Sequence, residues 1–312
     1  MHPLTGLLLA LGGLTTVYLA AWRRGLTQSR QRLGATPSPA TEAGLPTPAQ
    51  AAVGAVTNFF DTLGIGSFAT TTSIFRLRRM VPDQIIPGTL NVGHTLPTVL
   101  QAIIYTTLIE VDILTLFSMI GASILGAWLG AGVVARWPRR RVQIGMGSAL
   151  LAAAVLMLMT QLNLFPGGGD ALGVRGLRLA VGIGGNFALG ALMTLGIGLY
   201  APCMILVSLL GMNPKAAFPI MMGSCAFLMP VGSMRFIRED SYALRPALGL
   251  ALGGLPGVLL AAYIAKALPL YAVRWLVIVI VVYTAATMLW TAMAGERTAP
   301  DTPGSAPGEI SG

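Results

Sequence analysis

The stretch Thr62-Leu63-Gly64-Ile65-Gly66 returns as Thr194-Leu195-Gly196-Ile197-Gly198, 132 residues further along the chain. The same shift pairs Ala69 with Ala201, Met80 with Met212, Pro82 with Pro214, Pro87 with Pro219, Leu116 with Leu248 and Gly121 with Gly253. Shared composition produces scattered matches, but not an identical pentapeptide in register with paired prolines. The chain therefore reads as an internal duplication, a common basis of secondary transporters.

Around each pentapeptide the sequence is apolar. Hydrophobic residues make up 54% of the 312 and charged residues only 10%, with a mean hydropathy of +0.75. A soluble domain carries about a quarter charged residues, so too little polar surface exists here to cover a water-facing body. Apolar segments run over 49–76, 84–108, 112–135, 141–161, 177–211, 215–236, 244–267 and 270–294. A bilayer core of about 30 Å takes roughly 20 residues of helix, which most of these supply. The expected fold is an all-α polytopic membrane protein, its partner the lipid bilayer.

The net charge of +9 does not point to nucleic acid. The arginines cluster at the ends of apolar runs, where they set topology. Arg76, Arg78 and Arg79 read as anchors of this kind, as does Arg139-Arg140-Arg141. Cys203 and Cys225 both lie in apolar runs without metal-ligand spacing, and read as small packing residues. The first apolar run, Leu4 to Trp22, has no Lys or Arg before it and Arg23, Arg24, Arg30 and Arg32 after it. A signal peptide carries its charge first, so a retained helix is expected.

The domain reading follows: a transmembrane helix over 1–22, a polar cytoplasmic linker over 23–48, a first transporter repeat over 49–162, a loop over 163–176, a second repeat over 177–295 and a disordered tail over 296–312. Charge decides how the repeats cross. If every segment spans, the 20 basic residues divide evenly between the two sides. If 49–76 and 177–211 instead dip in and return, 15 fall inside and 5 outside, in agreement with the positive-inside rule. Each repeat is then a re-entrant hairpin plus three crossings. Three is odd, so the repeats are inverted, and the N-terminus is periplasmic with the C-terminus cytoplasmic.

Backbone turns at the membrane midplane are tolerated only where they line a polar cavity. Gly64, Gly66, Gly196 and Gly198 place such turns in both halves. Ser67 reads as the N-cap of the helix that follows, with Thr70 in its first turn, and Pro202 fits the first turn of the second. Two helix N-termini facing one cavity favour an anion; close helix packing is the plainer role of the same glycines. The next helix of each half reads as interrupted, at Asn91-Val92-Gly93-His94-Thr95-Leu96-Pro97 and at Gly223-Ser224-Cys225 before Pro230. Asn91, Thr95 and Ser224 are candidate donors to a substrate, or ordinary interhelical hydrogen bonders. Asp61 and His94 are the ionisable groups inside apolar segments: proton-coupling candidates, or satisfied core residues. Asn58 and Asn186 are lesser candidates.

Gly196-Ile197-Gly198 followed by a short apolar helix and Leu210-Gly211-Met212-Asn213-Pro214-Lys215-Ala216-Ala217 resembles the TauE/SafE sulfite-exporter family, as does Leu248 to Pro269. The resemblance covers about 50–295. It implies a bacterial plasma-membrane permease without ATPase parts or cofactors, exporting sulfite or an organosulfonate. In the family the loop is commonly Gly-Ile-Gly-Gly-Gly; here Ser67-Phe68 and Leu199-Tyr200 stand in place of the last two glycines. A permease or channel for another small anion is the alternative. No His-Glu-x-x-His and no Walker A lysine loop occurs, so neither a zinc protease nor an ATP-driven pump is expected. Oligomeric state stays open, a homo-oligomer included.

Overall fold

A computed structural model describes residues 3–33, 38–40, 42, 44–63, 65–107, 110–164, 168–194, 199–264 and 270–294. Among the described residues the chain forms eleven α-helices and no β-strand. In order they are α1 (Pro3–Leu33), α2 (Pro48–Thr62), α3 (Ser67–Leu77), α4 (Ile86–Thr106), α5 (Ile113–Val134), α6 (Arg139–Gln161), α7 (Gly176–Met193), α8 (Tyr200–Leu209), α9 (Ala217–Arg238), α10 (Leu244–Ile264) and α11 (Leu270–Ala294). Short 3-10 turns, Asp83–Ile85 and Pro214–Ala216, lead into α4 and α9.

Local chemistry sets several of these boundaries. Thr47 caps α2 through a reciprocal box in which the Gln50 amide N–H donates to Thr47 Oγ1 at 3.2 Å and the Thr47 N–H to Gln50 Oε1 at 2.8 Å. Pro48 supplies the first helical residue. Asp112 caps α5 by accepting from the Thr115 N–H at 2.9 Å. Between α2 and α3 the chain turns at Gly66, whose φ of 86° excludes a β-carbon without strain.

Six stretches are long and apolar enough to cross a membrane, in α1, α5, α6, α7, α9 and α10. Their outer faces suit lipid. On α5, Leu125, Leu129 and Val133 are exposed at four-residue intervals, and Tyr263 of α10 is 93% exposed. In water such surface costs about 25 cal/mol per Å². The chain is a multi-pass membrane protein.

Two expectations change. The stretch 23–48 does not begin as a linker: α1 continues through it to Leu33. Residues after Trp22 are mostly good helix formers, and the extension is held by bonds from Trp22 Nε1 to Tyr242 Oη at 3.2 Å and from Ser29 to Asp240. The helices read as interrupted are unbroken, with Pro97 inside α4 and Pro230 inside α9. The Pro97 ring is accommodated by Gly254 of α10, where a β-carbon would come within 2.4 Å of it. The hairpin arms are unequal, the first arm of the second hairpin being the long one, as its sequence length suggests. α2 has 15 residues and α3 has 11, about 22 and 16 Å at 1.5 Å per residue, whereas α7, at 18 residues, is long enough to cross.

The helices interlock across the two halves. α2 lies along α10 and α5 along α7; α4 packs on α9 and α6 on α11. Both side seams are closed by backbone contact at glycine. A β-carbon at Gly253 would sit 1.9 Å from the Ala51 carbonyl oxygen, and one at Gly126 would sit 2.0 Å from that of Phe187. Polar contacts sort the loops into two ends. At one end Arg245 pairs with Glu42, Arg136 with Glu239, and Arg76 with Asp83, each at 2.6 Å. At the other, Arg175 pairs with Asp112 at 2.6 Å and the Asn213 N–H donates to the Ala171 carbonyl at 2.8 Å. The chain thus enters α2 and leaves α3 at the first end, and enters α7 and leaves α8 at the second.

Candidate substrate site

The site is built on the turn between α2 and α3. Gly66 occupies the N-cap position of α3 with no side-chain cap of its own. Ser67, expected there, is instead the first helical residue. Its N–H donates to Asp61 Oδ1 at 2.7 Å. The cap is thus supplied from the last turn of the preceding helix, and the positive end of the α3 dipole faces a carboxylate.

Helix α4 completes the arrangement. Gln101 Nε2 donates to Asp61 Oδ2 at 3.0 Å and to Thr62 Oγ1 at 2.9 Å. Tyr105 Oη donates to the Thr62 carbonyl at 2.7 Å. Both oxygens of Asp61 are therefore bonded. Each such bond in a membrane interior contributes roughly 0.6–2 kcal/mol, and together they fix the turn against α4.

Beside this carboxylate lies a cavity of about 40 Å³ where the two halves meet. The first half contributes Asp61, Gly66, Ser67, Phe68, Thr98 and Gln101. The second contributes Met193, Leu199, Met221, Met222 and Cys225. At about 10–15 Å³ per water, a space of that size fits a few water molecules. One wall donates and accepts hydrogen bonds, and the other is polarizable sulfur and hydrocarbon. The Cys225 thiol points at Met193 Sδ, 3.8 Å away.

His94 sits in a separate buried network, two turns from Gln101 on α4. Its Nδ1 is 3.0 Å from Asn58 Oδ1 and its Nε2 is 3.0 Å from Thr71 Oγ1. The Asn58 amide is oriented by its own Nδ2, which donates to the Gly54 carbonyl at 2.8 Å. Asn58 therefore presents oxygen to the ring. This assigns the proton to Nδ1 and leaves Nε2 to accept from the Thr71 hydroxyl. The Phe68 ring packs beside the imidazole, centroids 5.7 Å apart.

Of the residues singled out in the sequence, the structure brings Asp61, Gly66 and Ser67 to the cavity. Gly64, Gly196 and Gly198 lie outside the described residues. Thr70 turns back on its own helix, donating to the carbonyls of Gly66 at 3.0 Å and Ser67 at 2.9 Å. Asn91 donates to the Pro87 carbonyl at 2.8 Å, with Oδ1 buried and without a hydrogen-bond partner. Thr95 bonds to the Asn91 carbonyl at 2.7 Å and meets Ser233 Oγ at 3.2 Å, on the α9 side of α4. Ser224 accepts from Asn186 Nδ2 at 2.9 Å. These three serve helix packing rather than the cavity. Thr98 and Gln101 were missed. Their signal is the polar spacing His94, Thr98, Gln101, Tyr105 along one face of an otherwise apolar helix.

No family model, curated protein or solved structure matches this chain.

Proposed function

We propose that this chain is a secondary transporter that exports a small sulfur-containing anion, sulfite or an organosulfonate, across a bacterial plasma membrane by alternating access. The observation that carries the reading is the Asp61 carboxylate seated on the first N–H of α3, against a small cavity between the halves. In this state a side chain occupies the position where a substrate oxygen would bind. Protonation of Asp61 weakens it as an acceptor and frees the Ser67 N–H and the Gln101 amide for an anion. Substrate and proton then share the site. A dianion accompanied by one proton still carries net negative charge outward, and an inside-negative potential of 100 mV drives it with about 2.3 kcal/mol.

The packing pattern supports inverted repeats. Exchanging α2 through α6 for α7 through α11 maps the α2–α10 seam onto α7–α5, the α3–α11 contact onto α8–α6, and α4–α9 onto itself. Two hairpins entering from opposite ends fit the charge distribution, which puts the arginine-rich loops in the cytoplasm. The sulfur in the substrate rests on the TauE/SafE resemblance.

Counterflow in proteoliposomes tests the proposal. Labelled sulfite uptake is expected to rise when unlabelled sulfite is loaded inside, and sulfoacetate, but not plain carboxylates, is expected to compete. Asp61→Asn is expected to flatten the pH dependence, while His94→Gln leaves it in place. Absence of trans-stimulation with every sulfur anion refutes the transporter reading; an unchanged pH profile in the Asn variant removes Asp61 from coupling.

A further inference from the structure

A cleft of about 930 Å³ separates α1 from the C-terminal end of α9, remote from the central cavity. Its α1 wall changes character along one helical face, from Val17, Ala20 and Ala21 to Arg24, Gln28 and Gln31. Its α9 wall changes in the same direction, from Met234 and Ile237 to Arg238. The change falls just past Trp22, where the apolar run of α1 ends. A shallower cleft on the adjoining face of α1 adds Arg23 and Thr27.

Arg23, Arg24 and Arg238 are exposed. The neighbouring carboxylates are engaged elsewhere: Glu239 with Arg136, Glu42 with Arg245, and Asp240 with Ser29. Among the described residues, none that lines the cleft is acidic. Its walls are held in place. Tyr18 Oη donates to the Val92 carbonyl at 2.9 Å, and Gly25 lets α1 approach so closely that a β-carbon there would be 2.3 Å from Ile237 Cγ2. From Val17 to Gln31 the cleft follows about 21 Å of helix.

We propose that this cleft binds an anionic diacyl phospholipid. Arg24 and Arg238 take the phosphate, Gln28 and Gln31 the polar headgroup, and the acyl chains run down past Ala20, Val17 and Met234. A cationic rim over an apolar floor at the membrane boundary matches the two parts of such a molecule. A soluble anion satisfies only the rim. The proposal stands independently of the transport reading, because its test measures binding.

Native mass spectrometry and thermal unfolding of the full chain in detergent provide that test, with phosphatidylglycerol, phosphatidylcholine and glycerol 1-phosphate as probes. Phosphatidylglycerol is expected to remain as a bound adduct and to raise Tm by about 3 °C more than phosphatidylcholine. Arg24→Gln/Arg238→Gln is expected to lose both effects. Arg24→Lys/Arg238→Lys is expected to keep the adduct, as is Arg78→Gln/Arg79→Gln, which removes exposed charge elsewhere. Equal retention of phosphatidylcholine, an equal Tm rise with glycerol 1-phosphate, or loss of the adduct in the Arg78/Arg79 variant overturns the proposal.

Discussion

Helices α2 and α7 each pack along a helix of the other half, α10 and α5, but the described side chains around the α2–α3 and α7–α8 pairs differ in chemistry. Around the first, Asn58, Asp61, Thr62, His94, Gln101 and Tyr105 form bonded polar contacts between α2, α3 and α4. Around the second, the cavity wall is Met193, Leu199 and Cys225. Its buried asparagine, Asn186, donates away from the cavity to the Met119 carbonyl at 2.7 Å and to Ser224. Backbone contacts at the two seams are nearly interchangeable, whereas the described side chains that each half brings to the cavity are not. Glycine thus closes both seams alike, while among the described residues of the two helix pairs only the first carries a carboxylate, Asp61.

The largest effect should come from the feature the two regions share. Gly253→Val and Gly126→Val each drive a side chain into a carbonyl oxygen that cannot retreat without separating two helices. Both are expected to reach or exceed the upper end of the ~1–3 kcal/mol typical of overpacking, seen as loss of a monodisperse peak and of a cooperative melt. If one seam tolerates valine, the equivalence of the halves breaks.

A smaller effect sharpens the difference. Gln101→Leu removes the donor to Asp61 Oδ2 and Thr62 Oγ1, leaving buried acceptors unpaired at about 1–3 kcal/mol. Met193→Leu nearly conserves volume and should cost less than ~1.5 kcal/mol. Transport is expected to fall about tenfold in the first variant, equivalent to ~1.4 kcal/mol, and to stay within about twofold in the second. Equal losses would mean that the sulfur wall matters as much as the polar one.

The smallest effect lies at the membrane surface. The Arg175 guanidinium, bonded to Asp112 at 2.6 and 2.8 Å, holds that carboxyl below the usual carboxylate range. A carboxyl with a depressed folded-state value stabilises the protein above its unfolded value of about 3.9, and the contribution disappears as pH falls through the folded value. Asp112→Asn retains a capping residue for α5 and removes only the charge. Tm measured against pH should therefore show a slight deficit for this variant at neutral pH that closes below about pH 4. Because Arg175 is exposed, added salt should shrink the deficit. A deficit that persists in acid would assign the effect to cap geometry instead.

Helix positions were largely legible in the sequence because the bilayer demands long apolar runs and glycine and proline punctuate them. α5, expected at 112–135, spans Ile113–Val134, and α10, expected from 244, starts at Leu244. The extension of α1 was not legible, since Arg23 to Leu33 is polar and its hold on Asp240 and Tyr242 is more than two hundred residues distant in the chain. Nor was the continuity of α4 through Pro97, which depends on a glycine in α10. The site was half legible. Asp61 stood out as an ionisable group in an apolar segment, but its bond to Ser67 exists only because Gly66 adopts a positive φ. Asn91 and Thr95 drew attention as polar residues of α4, whereas Gln101, on the same helix, did not. α4 is buried on nearly every side, so hydrophobic periodicity could not say which polar face looks into the cavity.

If the proposed transport holds, the contact between Asp61 and the start of α3 also bears on the return journey without cargo. A hairpin tip with a bare amide would draw water toward the bilayer centre each time it moved. A carboxylate that travels with the tip keeps it satisfied throughout the cycle. On that reading the same tether makes Asp61 a rival present at roughly millimolar effective concentration or above, which a substrate would have to displace. Weak apparent affinity, ready release and fast exchange then follow from six residues of chain.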